Sequence, residues 1–191
     1  MSSASFIVAA VALIGGRVEL QDLDPRFPQG DAAILDIASA MGVKVARGET
    51  SVTVESDGAP LRGGTFNLSD TPDLLPVVAA LALKSQTPVE VVGTAHARFK
   101  ETDRIAVLAT ELSKLGVKIE ERGDGMKISP TKELRPALLD AHDDLRMFMA
   151  FSLASMLLPG GTPVIGAESL DVSYPNFLED MARLGGTVRS A

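Results

Sequence analysis

Three stretches of this 191-residue chain repeat one pattern, and that repetition limits the folds open to it. DAAILDIASAMGVKV (31–45), DRIAVLATELSKLGVKI (103–119) and NFLEDMARLGGTV (176–188) each read as an amphipathic helix, a glycine stop and a strand. Apolar residues recur at helical spacing in all of them: Ile34, Ile37 and Met41; Ile105, Leu108, Leu112 and Leu115; Phe177, Met181 and Leu184. The stops align on Gly42, Gly116 and Gly185, where glycine supplies the left-handed residue that ends a helix. The period is roughly 70 residues, too long for solenoid repeats of about 20–50. A single compact domain is therefore expected.

A second kind of helix precedes each of these. SSASFIVAAVALIGG (2–16), TPDLLPVVAALALKS (71–85) and DDLRMFMAFSLASMLL (143–158) are apolar on nearly every side, which predicts burial. A strand is predicted after each, at RVELQDL (17–23), PVEVVGT (88–94) and TPVIGAES (162–169). Hairpins with glycine turns follow at 43–56 and 117–130. The unit reads helix, strand, helix, hairpin, with units over roughly 2–69, 70–142 and 143–191 and the last one cut short. This predicts an α/β (α+β) domain spanning 1–191, with three pseudo-repeated units and central buried helices.

Composition narrows the function. A formal charge of −7 argues against a broad nucleic-acid surface, which needs a basic field. The apolar N-terminal run is too short for a membrane span and lacks a basic leader, so no membrane partner is expected. A chain starting directly on a buried helix reads as part of something longer. With no cysteine there is neither a disulfide nor a thiolate metal site, which suits a cytoplasmic setting. His96 and His142 lack any metal-binding spacing, so no metal is expected.

In an acidic chain, an anion must be held by a local cationic cluster. All three buried helices start on polar residues: Ser2, Ser3 and Ser5; Ser69, Asp70 and Asp73; Asp143, Asp144 and Arg146. Pseudo-symmetry would bring these starts to one end, where free N–H groups and helix dipoles favour anions. Capping explains the serines and aspartates equally well. It does not explain Arg146 or Arg104, cations in first helical turns, or Lys100 just ahead. They suit either a phosphate or carboxylate ligand, or weak surface pairs of Arg104 with Glu101 and Arg146 with Asp143. Asp73 and Glu101 are the carboxylates best placed for proton transfer.

RFKETDRIAVLATELSKLG (98–116) closely resembles the R-x-K-E-[ST]-D-R-[IL] signature of the 5-enolpyruvylshikimate-3-phosphate synthase family. SSASFIVAAVALIGG (2–16), PQGD (28–31), TPDLLPVVAALA (71–82), DLRMFMAFSLA (144–154) and SYPNFLEDMARLG (173–185) are similar to that family's C-terminal half, in the same order. The resemblance implies one domain of an inverse βαβαββ barrel, with the active site in a cleft against an N-terminal domain absent here. It implies transfer of the enolpyruvyl group of phosphoenolpyruvate to the 5-hydroxyl of shikimate 3-phosphate, releasing phosphate, without metal or organic cofactor. Asp73 would accept the 5-OH proton and bind the shikimate hydroxyls. Glu101 would exchange protons with the phosphoenolpyruvate methylene, and Lys100 would contact the reacting oxygens. Arg104 and Arg146 would hold the phosphoenolpyruvate carboxylate, and His96 matches a position touching shikimate 3-phosphate.

Two positions depart from the pattern: Leu145 stands where the family often has histidine, and Val172 where many members have lysine. Related UDP-N-acetylglucosamine enolpyruvyltransferases share the fold but use a cysteine this chain lacks. A non-catalytic anion-binding or interaction module on the same fold is the other reading. Alone, the chain is expected to fold, to leave one sheet edge open, and to carry half an active site.

Overall fold

A computed structural model describes residues 2–22 and 30–187. The end of the strand expected over 17–23, the first part of PQGD and residue 188 lie outside the described residues.

The apolar helices form the centre. They are α1 (Ser2–Ile14), α3 (Leu75–Ala82) and α5 (Leu145–Met156), and they pack on one another. Every residue of α3 is buried, as are Ser5 to Leu13 of α1 and Met147 to Phe151 of α5. Burying a Val or Leu side chain contributes about 1.5–3 kcal/mol, so helices that are apolar all round are stable only when enclosed.

Two sheets and a strand pair surround them. Strands β1 (Gly16–Gln21), β2 (Lys44–Arg47) and β3 (Ser51–Ser56) form an antiparallel sheet in the order β1-β3-β2. The second sheet runs β4-β5-β7-β6, from β4 (Gly64–Asn67), β5 (Val89–Val92), β6 (Ile119–Arg122) and β7 (Gly125–Ile128). Two residues each from β8 (Leu139–Asp140) and β9 (Val164–Ile165) pair in parallel. The amphipathic helices α2 (Ala33–Ala40), α4 (Arg104–Lys114) and α6 (Phe177–Arg183) lie outside, each with its apolar stripe turned inward. Gly42, Gly116 and Gly185 all take positive φ just beyond them, at +104°, +87° and +99°.

The sequence pattern is corrected in two places. Short strands β4 and β8 stand ahead of α3 and α5 and pair in parallel with β5 and β9. The pattern read from sequence lacks these two strands, Gly64–Asn67 and Leu139–Asp140. The strand expected over 162–169 covers only Val164–Ile165; Gly166, at φ +99°, turns the chain into a 3-10 stretch over Ala167–Val172.

Candidate functional site

The starts of the central helices meet around one carboxylate. Asp73 lies in a 3-10 turn (Pro72–Leu74) leading into α3, where Pro72 and Pro76 restrict the backbone. Its side chain turns to three cations. Oδ1 pairs with Arg104 Nη1 at 2.9 Å and Lys100 Nζ at 3.2 Å, and Oδ2 with Arg146 Nη2 at 3.3 Å. Arg146 Nη1 also donates to the Asp73 carbonyl at 3.5 Å.

Arg104 is the hub. It is 1% exposed, and all three of its nitrogens donate to carboxylates. Nε reaches Asp144 at 2.7 Å, Nη1 reaches Asp73, and Nη2 reaches Glu101 at 2.7 Å and the second Asp144 oxygen at 3.3 Å. Asp144 is fully buried and also caps α5, its Oδ1 accepting from the backbone N–H of Arg146 at 2.9 Å and of Met147 at 3.4 Å. One carboxylate thus ties the first turn of α4 to the first turn of α5. Glu101 is half exposed, so it presents its outer face to solvent.

The electrostatics follow from this packing. Burial pushes the Asp73 carboxyl up, but Arg146, Lys100 and Arg104 together outweigh it and hold the group below the ordinary carboxylate range. Burial likewise opposes the charge on Arg104, and Asp144, Glu101 and Asp73 overcome it, leaving the guanidinium more firmly protonated than usual. Arg146, largely buried, also lies 4.0 Å from Asp31, which stands in the 3-10 turn entering α2. Three cations face Asp31, Asp73, Glu101 and Asp144, so their formal charges sum to about −1, offset by the roughly +0.5 dipole charge at each helix start.

Of the residues singled out from sequence, Asp73, Lys100, Glu101, Arg104 and Arg146 are brought together. His96 is exposed in the 3-10 stretch Ala95–Phe99, and its side chain pairs with no group among the described residues. The surface pairing considered for Arg146 is not formed: Arg146 turns to Asp73 and Asp31, while Asp143 sits exposed at φ +59°. The pairing of Arg104 with Glu101 is formed, but on a buried guanidinium rather than at the surface. Asp144 as the partner of Arg104 went unread, because nothing local marks a contact 40 residues away. Val172, in the position where lysine was noted as usual, is 79% exposed. Among the described residues no set of histidine and carboxylate side chains is grouped to hold a metal ion.

This arrangement of helices and sheets is that of the enolpyruvate transferase fold. The fold superposes on the enolpyruvyl transferase NikO from Streptomyces tendae with a TM-score of 0.77, at 23% identity. It matches EPSP synthase from Acinetobacter baumannii with a TM-score of 0.81 at 25% identity, covering 98% of this chain and 46% of that one. Within this class, the model of the EPSP synthase (3-phosphoshikimate 1-carboxyvinyltransferase) family matches residues 1–181, and the chain belongs to that family. Relatives named 3-phosphoshikimate 1-carboxyvinyltransferase include those of Nitrosopumilus maritimus, 42% identical over 98% of this chain, and Methanocella arvoryzae, 43% identical over 98%. The chain spans 44% of the length of each.

Proposed function

We propose that this chain supplies one wall of an active site that transfers the enolpyruvyl group of phosphoenolpyruvate to the 5-hydroxyl of shikimate 3-phosphate, with release of phosphate, in the cytoplasm. The opposite wall comes from an N-terminal domain. The observation that carries this reading is Asp73 held among Lys100, Arg104 and Arg146 at the meeting of the helix starts.

Each residue has a chemical task in this scheme. Asp73, kept ionised by its cations, accepts the proton of the attacking hydroxyl. Lys100, which shares the same carboxylate oxygen with Arg104, returns a proton to the reacting oxygens. Glu101 exchanges protons with the methylene carbon as the tetrahedral intermediate forms and collapses. Arg146 takes the phosphoenolpyruvate carboxylate, and Arg104 shares it by exchanging one of its own carboxylates for the ligand's. His96, on the exposed segment beside Lys100, reaches shikimate 3-phosphate from the rim. Developing charge is met by fixed donors, which explains why no cofactor is needed.

The near-zero charge balance of this wall has a consequence. Two polyanionic substrates need further cations from the opposing half, so the chain alone is inert and binds phosphoenolpyruvate weakly. Mixing the chain with a separately expressed N-terminal half, and following phosphate release from both substrates, tests the reading. Turnover that disappears with Glu101→Ala supports it. No turnover with a folded, matched half would instead favour a non-catalytic module, to which Leu145 and Val172 would then point.

A further inference from the structure

The signature segment holds two residues that this chemistry does not use, Arg98 and Asp103. They face each other across residues 99–102, the short arch that carries Lys100 and Glu101. Arg98 Nη1 donates to Asp103 Oδ2 at 2.8 Å. Its remaining nitrogens reach the β6–β7 turn: Nη2 donates to the Arg122 carbonyl at 2.7 Å and to Glu121 Oε1 at 2.9 Å, and Nε to the Gly123 carbonyl at 3.1 Å. The other oxygen of Asp103 caps α4, accepting from the Ala106 N–H at 3.0 Å.

That turn is itself tied to its neighbours. Thr94 donates twice to the Asp124 carbonyl, from its N–H at 2.7 Å and its hydroxyl at 3.0 Å. Gly125 packs so tightly on β5 that a Cβ there would lie 1.9 Å from the Val91 carbonyl oxygen. The arch, by contrast, has little packing of its own, since Phe99 is 87% exposed. Besides the pairs of Lys100 with Asp73 and of Glu101 with Arg104, it is held at its two feet.

We propose that the Arg98–Asp103 pair, seated on the β6–β7 turn, is a positioning clasp that sets Lys100 and Glu101 against Asp73 and Arg104. The role assigned to Lys100 and Glu101 rests on the function proposed above; the clasp itself does not. The pair is part-buried at the rim of the fold, and its effect is on the geometry of the arch.

Asp103→Asn separates the two jobs of that residue. Asparagine caps helices as well as aspartate does, so α4 keeps its acceptor, but the amide then turns its N–H₂ towards Arg98 and opens the clasp. The first readout is the titration of Asp73, followed through its side-chain carbon by NMR in this chain without substrate. Removing a nearby negative charge would, by itself, lower the pKa of Asp73. If the clasp positions Lys100, releasing it deprives Asp73 of a cation and moves the pKa upward instead. Arg98→Lys, which keeps the charge but cannot span four acceptors, moves it in the same direction. In the reconstituted enzyme both variants lower kcat roughly 10- to 100-fold, the loss typical of a catalytic group misplaced by about 1 Å. An unchanged or lowered Asp73 pKa in Asp103→Asn overturns the clasp. Absent turnover in the wild-type mixture, with the upward shift still present, overturns the function and leaves the clasp standing.

Discussion

Replacing Asp144 should damage this protein more than its single side chain suggests. Asp144→Ala strands the Nε of Arg104, a guanidinium that is 1% exposed, and removes the cap of α5. Breaking a buried ion pair from one side costs about 3–5 kcal/mol, because the surviving charge is uncompensated. Arg104 keeps Asp73 and Glu101, which places the loss near the lower end, and the lost cap restores about 1 kcal/mol of penalty. A net cost of about 4 kcal/mol corresponds to a drop in Tm of roughly 8–16 °C for a chain of this size. Urea unfolding, with the slope held common to all variants, reads the value directly. Asp144→Asn retains the cap and isolates the charge term, for which about 3 kcal/mol is expected. Combining it with Arg104→Met removes both charges, so the double variant should be less destabilised than the sum of the singles. An Asp144→Ala cost below about 1 kcal/mol, or strict additivity in the double variant, would refute the buried hub.

Other consequences are simpler to read. Gly125→Ala forces its Cβ onto the Val91 carbonyl and should unfold the β5–β7 pairing, seen as loss of amide-exchange protection at Val89 and Val91. Leu81→Ala, at a fully enclosed site in α3, should cost about 2–5 kcal/mol in the same urea assay. Burial, together with its bond to Asp180, pushes the Tyr174 hydroxyl up to about 12. A raised folded pKa stabilises below the unfolded value, near 10, and that contribution is lost as pH rises from about 10 to 12. Tyr174→Phe should therefore flatten the alkaline limb of a stability–pH curve over that range. Asp73 behaves in the opposite sense: its folded pKa is lowered, so its contribution is present at neutral pH and disappears as pH falls below about 4. Asp73→Asn should remove that part of the acid limb.

The central helices were legible because burial on every side leaves a strong mark: Val77 to Ala82 contains no polar side chain. The glycine stops were equally plain, since Gly42, Gly116 and Gly185 occupy a backbone region other residues avoid. Strands β4 and β8 left no such mark. Four residues of GTFN and two of LD are too few to show alternation, and their pairing depends on β5 and β9, which lie a whole helix further along the chain. At the site, the residue types announced a charged cluster, and Lys100, Glu101 and Arg104 sit in one short segment. Which carboxylate each cation would choose could not be read locally. Arg146 passes over its neighbour Asp143 because the turn at His142 and Asp143, both at positive φ, points that side chain outward and leaves Asp73 and Asp31 within reach.

In the proposed mechanism the helix starts form an anion-binding wall. Titrating phosphoenolpyruvate into the isolated chain, and following backbone and side-chain NMR shifts residue by residue, tests this most directly. Saturation in the millimolar range, about 4 kcal/mol of binding, is expected from a wall whose charges nearly cancel. The shifts should centre on residues 71–76, 100–104 and 144–147, and Arg146→Ala should weaken them. Shifts centred elsewhere, or none at all up to roughly tens of millimolar, would contradict it.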